Sequence, residues 1–109
     1  MNNNARYSKA QWRILKELAA EVYQIELDME LDKLLAQFQS WKSGQIDSWD
    51  LEEAIHKFHQ GPSRKLYSTH NNVDADIIIA WALKRGIIPS EKIPPDLLEK
   101  IMDIMAIYG

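Results

Sequence analysis

Between Lys9 and Ser43 the chain contains neither glycine nor proline, and its apolar residues recur at helical spacing in two separate sets. Leu15, Leu18, Val22, Ile25 and Met29 form one set, and Leu27, Leu31, Leu34, Phe38 and Trp41 form the other. At about 100° per residue the two stripes point roughly 160° apart. A helix of this kind has two faces to cover. One solution is a turn near Asp28, made without the usual turn residues. The other is a continuous helix from about Lys9 to Lys42 that packs on its own chain with one half and on another surface with the other half. The second solution is a route to a homodimer.

The chain of 109 residues suits a single domain, residues 1–109, with a modest core. Its 46% apolar and 27% charged content is that of an ordinary globular protein. The longest apolar run, Ile77 to Leu83, is far short of the ~18 residues that span a bilayer, so no membrane role is expected. Met1 to Asn4 lacks the charged and apolar regions of a secretory signal, and a cytoplasmic location is expected. Without cysteine, disulfides, thiolate metal sites and thiol nucleophiles are excluded together.

A net charge of -3 hides an uneven distribution. Lys16 to Asp32 carries six acids against Lys16 alone, whereas His56 to His70 carries Lys57, Arg64, Lys65 and three histidines with no acid. Such polarity serves either pairing within the fold or across a dimer, or an anionic partner.

Local signals predict an all-α protein of about five helices, with a long N-terminal helix packing on shorter ones. Ser8 caps the first helix and Gly44 ends it. Asp47 or Ser48 opens a second, which Gly61-Pro62 closes near Gln60. A short helix runs from Ser63 to about His70, with Leu66 and Tyr67 turned inward, and then comes an Asn71-Asn72 loop or cap signal. A fourth helix from Val73 or Asp74 to Arg85 is preferred over a strand, because a lone strand has no partner for its backbone. Ile87 and Ile88 should fold back on the core, and Pro94-Pro95-Asp96 introduces a last helix with Leu97, Ile101, Ile104 and Tyr108 on its inner face.

Few residue groupings carry chemistry. The Gly44 turn lacks the oxygen ligands of a calcium loop. Glu53, His56 and His59 share a face of the second helix, but one Glu-x-x-His copy is half of what a di-iron bundle uses, and the histidine spacing is not that of zinc hydrolases. His56 is expected to be partly buried, with His59 finishing its helix. The turn Gly61 to Lys65 is the best ligand candidate. Proline in a first helical turn would leave the Ser63 and Arg64 N–H groups free for an anion, with His59, Ser63, Arg64 and Lys65 as binding residues. Of the four tryptophans, Trp41 and Trp49 flank the Gly44 turn as an interface platform or as packing, and Trp81 is expected in the core. No nucleophile motif is present.

Three functions are compatible with these residues. The first is a small non-catalytic helical binding or regulatory module acting as a homodimer, open to a protein partner and requiring no cofactor. The second is a phosphate or nucleic-acid binder through Gly61 to Lys65, against which stands a pI near 5.5. The third is a metal-dependent enzyme using Glu53, His56 and His59.

Overall fold

A computed structural model of the protein describes residues 6–108. The Met1 to Asn4 segment and the Tyr108 side chain lie outside the described residues. The described chain is all-α: α1 (Lys9–Lys42), α2 (Ser48–Phe58), a π-helical turn (His59–Ser63), α3 (Arg64–Asn72), α4 (Ala75–Lys84), a 3-10 turn (Ser90–Lys92) and α5 (Pro95–Tyr108).

α1 is one uninterrupted helix of 34 residues, so the chain does not turn at Asp28. Its start is fixed by a reciprocal capping box. The Gln11 N–H donates to Ser8 Oγ at 3.0 Å, and the Ser8 N–H donates to Gln11 Oε1 at 3.1 Å. At the other end Gly44 takes φ +85°, where a side chain would be strained, and the chain reverses. Asp47 caps α2 in the same reciprocal way with Asp50.

Gly61-Pro62 does not close the second helix. Proline has no N–H to donate, and the helix absorbs it by widening to a π turn rather than ending, so the path from Ser48 to Asn72 is continuously helical. α2, the π turn and α3 therefore act as one rod lying back along α1. The rod ends where the Asn71 and Asn72 side-chain amides donate to the carbonyls of Tyr67 and Ser68 at 2.7 and 2.8 Å.

The core lies at the other end of α1. Leu15, Leu18, Ala19 and Val22 pack with Ile78, Ile79, Ala80 and Ala82 of α4, with Ile88 and Ile93 of the connection, and with Leu97, Ile101 and Ile104 of α5. α4 is the middle layer, in contact with both α1 and α5, and this explains why its sequence is apolar nearly all round. Trp81 is the exception to its expected place, being 40% exposed at the edge of the layer. Tyr7 closes the N-terminal side. Its hydroxyl donates to buried Asp76 at 2.9 Å and its ring stacks on Trp12. Burial and the Asp76 carboxylate raise the Tyr7 hydroxyl well above the ordinary phenol range.

Candidate functional site

Beyond Ile25 the first apolar stripe of α1 runs past the end of the core, and Met29 is exposed. The second stripe is divided. Leu27 and Leu34 are half-buried on the side that meets the returning rod, and the Trp41 indole N–H donates to Ser48 Oγ at 3.2 Å. Leu31 and Phe38 lie about 20–60° further round α1 and are exposed. Leu35, which belongs to neither sequence stripe, joins them at 53% exposure. Its place depends on the rod having claimed the Leu34 side.

The two flanks of this helical hairpin differ in chemistry. One carries a groove of about 450 Å³ lined by Glu30, Lys33 and Gln37 of α1 and by Asp50, Glu53 and Lys57 of α2, with apolar residues at its floor. Leu31, Leu35 and Phe38 lie on the other flank. On α2, Ile55 is rotated from the inward Leu51 and Phe58 in the sense opposite to Asp50 and Lys57, which sets it on that flank too, and it is exposed. At the tip of the hairpin Trp49 is 78% exposed.

Where the rod meets α4, a buried polar group joins three helices. His70 of α3, its side chain 5% exposed, stacks on Tyr23 of α1 with ring centroids 4.4 Å apart. Its Nε2 lies 3.6 Å from Glu26 Oε1, too far for a hydrogen bond, and has no hydrogen-bond partner among the described residues. Glu26 is occupied on its other oxygen by Arg85 at 2.7 Å. Burial lowers the His70 pKa, Arg85 adds to this, and Glu26 opposes it. The acids of α1 thus pair chiefly with α4 and with the connection to α5, where Lys92 bonds Glu21 at 2.8 Å. Within this set, His70 is the one cation-forming residue drawn from the basic segment.

The sequence-derived ligand residues are spread around the π turn. His59, Arg64 and Lys65 are exposed and Ser63 is half-buried. The Arg64 N–H donates to the Gly61 carbonyl, so it is not a free helix-start donor. Lys65 lines a second groove of about 720 Å³, where Gly61, Pro62 and Leu66 face Trp81, Lys84 and Arg85, with Glu26 and Glu30 on the α1 wall. Tyr67 is exposed rather than inward.

His56 is exposed as well, its Nε2 at 4.0 Å from Glu52 rather than beside a buried stripe. Among the described residues, no three His, Asp or Glu side chains are grouped so as to hold a metal. No described helix is long and apolar enough to cross a membrane. Comparison of the chain with protein-family models, curated proteins and solved structures gives no match.

Proposed function

We propose that this protein is a small non-catalytic helical binding or regulatory module that acts as a homodimer, with the distal half of α1 as its self-association surface. The observation that carries this reading is the exposed Leu31, Leu35 and Phe38 stripe on a helix whose other half is sealed in a core. Shape and area support it. The radius of gyration is 17.5 Å, against about 13 Å for a compact chain of this length. The accessible surface is 7,506 Å², against about 6,200 Å² for a compact monomer of this mass. The surplus of roughly 1,300 Å² exceeds the ~800 Å² that each partner of a standard interface buries.

Light scattering coupled to size exclusion tests this reading. The expected mass is twice the 12.7 kDa of the chain at micromolar concentration. Leu35→Glu should return the mass to one chain while keeping the helical circular dichroism of the wild type. A wild-type monomer at several hundred micromolar would overturn the reading.

A further inference from the structure

We infer that the second copy docks antiparallel on a two-fold axis beside Leu35, with Asp28 of each chain facing Lys42 of the other; this rests on the self-association reading above. The register of the exposed face favours this arrangement. Gln24, Asp28, Leu31, Leu35, Phe38 and Lys42 succeed one another at spacings of 4,3,4,3,4, which is the seam of a coiled coil, and all six are exposed. Leu31, Leu35 and Phe38 occupy its centre, an acid stands at its N-terminal side and a base at its C-terminal side.

Asp28 and Lys42 are equally far from Leu35 in sequence, seven residues on either side. A two-fold axis at Leu35 that reverses α1 therefore sets Leu35 on Leu35, Leu31 by Phe38, and each Asp28 by a Lys42. The parallel alternative sets Asp28 on Asp28 and Lys42 on Lys42, two like-charge contacts at the ends of a short apolar seam. An isologous contact of this kind closes on itself and does not propagate. Ile55, on the same flank of each hairpin, extends the apolar contact from α2, so the assembly is a four-helix bundle of two hairpins. The two cores then lie at opposite ends. From Lys9 to the axis is about 39 Å of helix on each side, which gives a particle roughly 80 Å long against 55 Å for one chain.

The chain has no cysteine, so engineered thiols report the register without background. Oxidation of the full-length Leu35→Cys protein should give a disulfide dimer. An equimolar mixture of Asp28→Cys and Lys42→Cys chains should give a mixed disulfide, while Asp28→Cys alone should give none, since its two thiols would be about 21 Å apart. Asp28→Lys should weaken the dimer about tenfold, and Asp28→Lys combined with Lys42→Asp should restore it. A dimer by light scattering that cross-links through Asp28→Cys alone, or not through Leu35→Cys, overturns the register and leaves self-association standing. Absence of any dimer by light scattering overturns both.

Discussion

The two halves of α1 are made of similar residues and end in different surroundings. In the proximal half, Leu15, Leu18 and Val22 meet α4, an apolar helix that is itself covered by α5, and all three are buried. In the distal half the cover is the amphipathic rod of α2 and α3, and among the described apolar residues from 27 to 72 Leu51 alone is buried. Eight of the eleven exposed large apolar residues among those described fall in that same stretch, so its surface is what a missing layer would leave. Helix formation needs local sequence and a single favourable face, whereas a core needs a second layer on that face. The proximal half has its second layer in cis.

The largest contrast should come from placing a charge in each half. Leu18→Glu buries a carboxylate with no partner in the packed core and should unfold the protein, a loss above about 4 kcal/mol. Leu35→Glu should change mass and leave thermal stability of the dilute protein within about 0.5 kcal/mol. Equal unfolding by both would mean that Leu35 is covered by its own chain. Next in size, Leu51→Ala should loosen the hairpin by about 2–3 kcal/mol. The loss should appear as faster amide exchange in α2 and distal α1, with α4 and α5 unchanged.

Much of this division is legible in sequence. The cap at Ser8, the cap at Asp47 or Ser48, the reversal at Gly44 and the inner face of α5 each depend on a few adjacent residues, and the structure has the caps at Ser8 and Asp47, the reversal at Gly44, and Leu97, Ile101 and Ile104 turned inward. The second stripe of α1 is visible in the sequence, but not its split between Leu34 and Leu35, because the direction from which α2 returns is a tertiary fact. Pro62 misleads for a related reason. It stops an isolated α-helix, yet packing of the rod along α1 favours a π turn over a break. Residue type and local periodicity point Trp81, Tyr67 and His56 inward, but neither shows where neighbouring helices leave an edge open. The His70, Glu26 and Arg85 group joins three helices and has no sequence signal beyond the polarity of charge.

That group is the joint between the two regions, and it should respond to pH. His70 is neutral by preference in the fold, so stability is fully present above the unfolded pKa near 6.5 and falls as pH drops below it. The groups facing it are Tyr23, Glu26 and Lys16 from α1 and Arg85 and Asp74 from the α4 region. The melting temperature should decline from pH 7.5 to 5.5 more steeply in the wild type than in His70→Phe, which keeps the stack on Tyr23. Arg85→Ala should cost about 1–2 kcal/mol by leaving Glu26, 13% exposed, without its cation. It should also raise the His70 pKa and flatten the acid decline. The smallest effects belong to the caps, at about 1 kcal/mol each for Ser8→Ala and Asp47→Ala. The first should act on the whole fold and the second on the hairpin alone.

The central claim is that a second copy completes the distal half of α1. Amide hydrogen exchange measured over a range of protein concentrations tests it most directly, because each α1 amide reports its own half. Amides of Leu31 to Lys42 and of α2 should gain protection as concentration rises through the micromolar range, while those of Leu15 to Val22, α4 and α5 stay constant. Protection in Leu31 to Lys42 that is already complete in the dilute monomer, or that never changes with concentration, would contradict the account.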